Sequence, residues 1–63
     1  KEPLKKVYER LTPVPKTAET ILAELWEKGE YLDIAALHRA LMELELSGYV
    51  RQSSPGYFGT SAN

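Results

Sequence analysis

Leu4, Val7, Tyr8 and Leu11 recur at i, i+3, i+4 and i+7, the spacing that lines one face of a helix. They predict a first helix over residues 3–11, with Pro3 suited to its first turn. Thr12-Pro13-Val14-Pro15 ends it, because the prolines remove donors that a helix requires. Val14, between them, has room only for a very short edge strand. A second stripe, Ile21, Leu22, Leu25 and Trp26, predicts a helix over 17–28. Thr17 suits its N-cap, Glu19 suits the positive end of its dipole, and Gly29 stops it.

Asp33 caps a third helix over 33–47, with Ile34, Leu37, Leu41 and Leu44 on its core side. Ala40 stands where two helices approach closely. Gly29-Glu30-Tyr31-Leu32 is the turn of a helix-turn-helix pair. Gly48 sits where a left-handed C′ residue is wanted, so that Tyr49 packs back on Leu44. Tyr49 to Gln52 reads as a strand and Ser53-Ser54-Pro55-Gly56 as a type II turn. Tyr57 and Phe58 begin the return, which gives a hairpin over 49–60. Gly59 to Asn63, small and polar, predicts a frayed tail. Trp26 and Phe58 are expected in the core, where a small domain needs their area.

The predicted chain is mainly α with a small β-hairpin. Its order of helix, short strand, helix, turn, helix and hairpin describes a winged helix-turn-helix, three helices plus a wing. The run Leu41-Met-Glu-Leu-Glu-Leu-Ser-Gly-Tyr-Val50, followed by Pro55-Gly56 and Tyr57, resembles the C-terminal domain of the bacterial DNA-processing protein A family (DprA, also called Smf). Leu11-Thr-Pro-Val-Pro15 resembles the proline-bearing connector that this family places before its second helix. The resemblance spans nearly the whole chain, and its specific part is the Leu41–Val50 run. It implies a cytoplasmic DNA-handling protein. Family members bind single-stranded DNA and help load the RecA recombinase during natural transformation. Their main DNA-binding and self-association surfaces lie in a preceding Rossmann-like domain, and the winged helix is an accessory whose role differs between members. The shape is also similar to winged helices that bind Z-form nucleic acid. Aligned on Leu44 and Gly48, His38 and Met42 stand where those proteins use a reading Asn and Tyr, while Pro55 matches a wing proline. Loss of both reading side chains argues against Z-form recognition.

Length and composition narrow the reading. Sixty-three residues make one small domain, near the lower limit for a single apolar core. With no cysteine, neither a disulfide nor a thiolate metal site can assist it, so the 43% hydrophobic residues must suffice. No apolar run is long enough to span a membrane. Neither a signal-peptide pattern nor an initiator Met opens the chain. The expectation is one domain, 1–63, the C-terminal part of a larger cytoplasmic protein and monomeric by itself.

The net charge of −1 is unevenly laid out. Lys1, Lys5, Lys6, Arg10 and Lys16 face only Glu2 and Glu9 in the first quarter, whereas residues 17–32 carry four glutamates against Lys28. Lys1, Lys5, Lys6 and Arg10 form either a solvated face or a weak phosphate-steering patch, extended by Lys16 and Arg51 if the hairpin folds beside Val14. Strong non-specific DNA binders present a broad basic surface. This chain does not, so DNA binding is expected to be weak and to rest on backbone contacts.

On the third helix, Ala35, Arg39, Met42 and Leu46 fall opposite the core side. Base edges are read by hydrogen bonds, and Arg39 is the one strong reader in that row. It is either solvated, paired to Glu43 at i+4, or a phosphate contact. Either Leu46 tucks under the wing and Met42 is half-covered, or both belong with Ala35 to a protein-docking stripe. His38, without Cys or a second His, makes metal binding improbable. Tyr57 either packs into the sheet or stacks on a base. Ser53 and Ser54 are turn residues with no activating base in sight.

No phosphate loop, paired-acid motif or triad is present, so an enzyme is not expected and no cofactor is implied. The expected function is an accessory nucleic-acid module of a DprA-like protein, with Ala35, His38, Arg39, Arg51, Ser53, Ser54 and Tyr57 as contacts. One alternative is a protein-interaction module using Ala35, Met42 and Leu46, either with another domain of the parent protein or with a recombination partner. Another is the DNA-binding domain of a transcription regulator, which the few hydrogen-bonding residues on the third helix disfavour.

Overall fold

Two capped helices and two glycine stops organise the chain. In the computed structural model, which describes residues 3–61, α1 spans Leu4–Glu9, β1 Lys16–Thr17, α2 Ala18–Glu27, α3 Ile34–Leu46, β2 Val50–Ser54 and β3 Tyr57–Thr60. The three helices make up about half of the chain, and the strands form one antiparallel sheet in the order β1-β3-β2.

The local chemistry explains the boundaries. Thr17 and Asp33 cap α2 and α3, their side-chain oxygens accepting from the N–H groups of Thr20 and Ala36 at 3.2 and 2.7 Å. Both helices end in Schellman motifs. The Glu30 N–H donates to the Leu25 carbonyl and the Tyr49 N–H to the Leu44 carbonyl, around Gly29 and Gly48 at φ +81° and +87°. α1 is shorter than 3–11. Pro3 is its N-cap, and past Glu9 the Arg10 and Leu11 N–H groups turn back to Val7 and Tyr8, a tighter i→i−3 closure.

A short strand does precede the second helix, but it is Lys16–Thr17 and not Val14. Pro13 and Pro15 flank Val14 and have no N–H, so the sheet begins at the first consecutive residues that own both donor and acceptor. Lys16 pairs with Phe58 and Thr17 with Tyr57. The Lys16 ammonium is also a staple. It donates to the Arg10 carbonyl at 2.6 Å and to Glu24 Oε1 at 2.7 Å, tying the end of α1 to α2.

The core is assembled on α3. Leu37, Ala40, Leu41 and Leu44 are buried there, against Val7 and Leu11, Ile21 and Leu25 of α2, and Val50 of β2. Several expectations need correction. Trp26 is 52% exposed, because its indole N–H donates to the Leu32 carbonyl at 2.9 Å and draws the ring toward the α2–α3 turn. Ile34 opens α3 before the helix reaches the core and is exposed, while Leu32 packs against the core. Phe58 is only partly buried. Tyr8 and Tyr49 both retain exposure and meet edge-to-face, centroids 5.9 Å apart.

The hairpin turn sits one residue later than expected. Ser54 pairs with Tyr57, so Pro55 and Gly56 are the loop and Ser53 is the extra residue of a bulge between Gln52 and Ser54. Gly56 has φ +86°, the positive value that the position after Pro demands in a type II turn. The bulge adds local twist to the strand. Gly59 and Thr60 are not frayed. They lie in β3, and the Thr60 and Ser61 N–H groups donate to the Thr12 and Tyr49 carbonyls, each at 3.0 Å. Ala62 and Asn63, the rest of the expected tail, lie outside the described residues, as does Lys1.

Gly59 is buried beneath the Thr12-Pro13 connector. A Cβ there would lie 3.0 Å from the Pro13 carbonyl oxygen and 3.2 Å from that of Thr12. Gly59→Ala is therefore expected to destabilise the domain by about 1–3 kcal/mol through overpacking against backbone. Urea denaturation, read as a fall in midpoint at unchanged slope, checks it.

Candidate functional site

Commitment of one side of α3 to the core fixes what the other side presents. Ala35, His38, Arg39, Met42 and Leu46 are all exposed. Met42, 56% accessible, is half-covered beside Gln52 and Phe58, whereas Leu46, 82% accessible, lies clear of the hairpin. The reading in which Leu46 tucks beneath it is excluded by geometry, since β2 leaves α3 after Gly48 on the Val50 side. Arg39 makes no hydrogen bond or ion pair with any described residue, Glu43 one turn on included.

Besides the Val50 packing, the hairpin has a polar side-chain link to α3, made by a residue that the sequence places merely at a strand end. Strand alternation turns Val50 and Gln52 toward α3. Gln52 Nε2 donates to Glu45 Oε1 and Oε2 at 3.2 and 3.4 Å, and its Oε1 accepts from the Gly56 N–H at 2.8 Å. The amide thereby connects the last turn of α3 to the loop at the hairpin tip, using donor and acceptor each where its chemistry allows. Beside it, His38, Leu41, Met42, Glu45, Gln52 and Phe58 enclose a hollow of about 230 Å³, below the range of ordinary small-molecule sites.

The expected contact residues divide between two surfaces. Ala35, His38 and Arg39 share the outward side of α3. Arg51 pairs with Gly59, and alternation sends both, with Tyr57, to the sheet face opposite Gln52. Ser53 and Ser54 lie exposed toward the tip, and Tyr57 pairs with Thr17 and Ser54 while keeping much of its ring exposed. Lys16 does not extend a basic patch to Arg51. β3 separates the two, and the Lys16 charge is engaged by Glu24 and the Arg10 carbonyl. Lys6 is likewise paired, to Glu30 at 3.2 Å.

The charge of this region is close to balanced, Arg39 and Arg51 against Glu43 and Glu45. Two cations that engage two phosphates give a salt slope of only about −2 in log K against log salt, well short of a strong DNA binder. Among the described residues, no group of three His, Asp or Glu could hold a metal ion, and no described helix is long and apolar enough to cross a membrane. No protein-family model, curated protein or solved structure matches this chain.

Gln52 was not legible as a site residue because its partners, Glu45 and Gly56, are brought together only by the turn after α3. Gln52→Ala is expected to cost about 0.5–1.5 kcal/mol, the usual worth of exchanged hydrogen bonds. It is also expected to accelerate hydrogen exchange at the Gly56 amide, while amides inside α2 change little. NMR-detected exchange separates these responses.

Proposed function

We propose that the chain is a winged helix-turn-helix and serves as the accessory nucleic-acid module of a DprA-like DNA-processing protein in the bacterial cytoplasm. Its role there is in DNA uptake for natural transformation and in recombinase loading, and it carries out no catalysis of its own. The order of elements and the antiparallel hairpin after α3 support the winged-helix reading, as does the Leu41–Val50 resemblance.

One observation carries the nucleic-acid reading. Arg39 stands at mid-helix on the outward side of α3 with no hydrogen bond or ion pair to a described residue, on the helix to which Gln52 ties the hairpin. An arginine without an internal partner has no ion pair to break when it takes a phosphate, and its planar fork suits that anion. Arg51 and the hydroxyls of Ser53 and Ser54 supply further backbone contacts. Such contacts position the nucleic acid and carry no sequence information directly. Binding is weak because Glu43 and Glu45 oppose it.

A second reading is favoured by the exposure of Leu46 and Met42. Two large apolar side chains with Ala35 on one helix face suit a protein partner better than a phosphate backbone. That partner is another domain of the parent protein or a recombination protein.

Fluorescence anisotropy with labelled oligonucleotides at low salt distinguishes the readings. The nucleic-acid reading predicts that Arg39→Glu weakens binding at least about tenfold, a loss of about 1.4 kcal/mol, with the shallow salt slope given above. Unchanged binding by Arg39→Glu overturns it. Leu46→Asp is expected to shift stability by no more than about 0.5 kcal/mol, as at other open surface positions. If it unfolds the domain, Leu46 is a packing residue and the protein-docking reading fails.

A further inference from the structure

The outer face of α2 lies outside the site described above and holds the largest side chain of the protein. Two rows run along it, Leu22 with Trp26 and Glu19 with Ala23 and Glu27, each stepping by four residues. Together these five residues line an open, almost wholly apolar hollow.

Two features separate this face from an ordinary solvated one. The indole N–H, the only polar group of Trp26, is already used by the Leu32 carbonyl at 2.9 Å. Tyr31, itself 72% exposed, braces the ring edge-to-face at 5.3 Å. What remains toward water is the apolar surface of a ring fixed in place. A domain with a small core has left its one tryptophan half outside. Tryptophan and tyrosine are enriched among the residues that carry most of the binding energy of protein interfaces.

The second feature is charge. Of the four glutamates between residues 17 and 32, Glu24 and Glu30 are neutralised by Lys16 and Lys6. Glu19 and Glu27 bond to no described residue, and they are the two that line the hollow, which contains no cation. Eight residues at 1.5 Å rise place their backbone positions about 12 Å apart, two helical turns. We propose that this face docks a basic amphipathic helix of a partner protein. Apolar side chains of that helix lie on Leu22, Ala23 and Trp26, and lysines or arginines about two turns apart meet Glu19 and Glu27. Nucleic acid and anionic lipid are disfavoured by the same two carboxylates. The site is independent of the α3 surface.

Trp26 is the only tryptophan, so its emission reports occupancy directly. The probe is a synthetic amphipathic helix with a leucine face and a lysine face, and the control is its glutamate counterpart. The lysine peptide is expected to shift the emission to the blue in a saturable, salt-weakened manner, and the glutamate peptide to leave it unchanged. The double variant Glu19→Lys, Glu27→Lys, its fold checked by circular dichroism, is expected to bind about tenfold more weakly, a rim-charge effect. Leu46→Asp is expected to bind as the parent does. Absence of a shift, an equal shift with the glutamate peptide, undiminished binding by the double variant or loss of binding in Leu46→Asp overturns the proposal. A blue shift on concentrating the protein alone overturns it too, because the occupant is then a second copy of the chain.

Discussion

The burial of one side of α3 is the constraint on which the structure depends. Leu37, Ala40, Leu41 and Leu44 form the row against which α1, α2 and β2 pack. No disulfide or metal cluster among the described residues supplements it, so the small core must be apolar and well filled. Ala40 matters in that row for what it lacks, since a larger side chain would push helices apart. Because α3 cannot rotate without exposing the row, its opposite side is fixed as well. Arg39, Met42 and Leu46 are outside as a direct consequence of Leu37, Leu41 and Leu44 being inside.

Polar interactions then set the relation of the remaining parts to α3. Lys16 joins the end of α1 to α2, Lys6 joins α1 to the loop before α3, and Gln52 joins α3 to the hairpin tip. These partly exposed contacts are individually modest in energy. Their effect is geometric. They also consume two cations of the basic first quarter, Lys6 and Lys16. The charges that make no ion pair with a described residue include Arg39 and Arg51 and, on α2, Glu19 and Glu27.

Much of the architecture was legible because its signals are local. Thr17, Asp33, Gly29 and Gly48 mark helix ends by capping chemistry that acts within a turn, and all four behave accordingly. Periodicity located the buried rows, but it misassigned residues at their margins. Ile34 shares the phase of Leu37 and Leu41 yet precedes the core, and Trp26 shares that of Leu22 yet leans outward to satisfy its N–H. Pro55 and Gly56, at the second and third positions of a type II turn, centre the turn on Ser54–Tyr57, whereas the Ser53 bulge is a pairing property that no single-strand pattern reveals. Of the candidate site, the exposure of Arg39, Met42 and Leu46 followed from helical phase. The Gln52 bridge and the Trp26–Tyr31 wall did not, since each depends on a residue across a turn.

The central functional claim is that the outward side of α3 and the hairpin tip touch nucleic acid. Its most direct test is an NMR titration of the isotopically labelled domain with single- and double-stranded oligonucleotides at low salt. Progressive shifts concentrated around Arg39 and from Arg51 to Ser54, with α1 unaffected, are expected. The absence of shifts on α3 and the hairpin, or shifts confined to other surfaces, would contradict the claim.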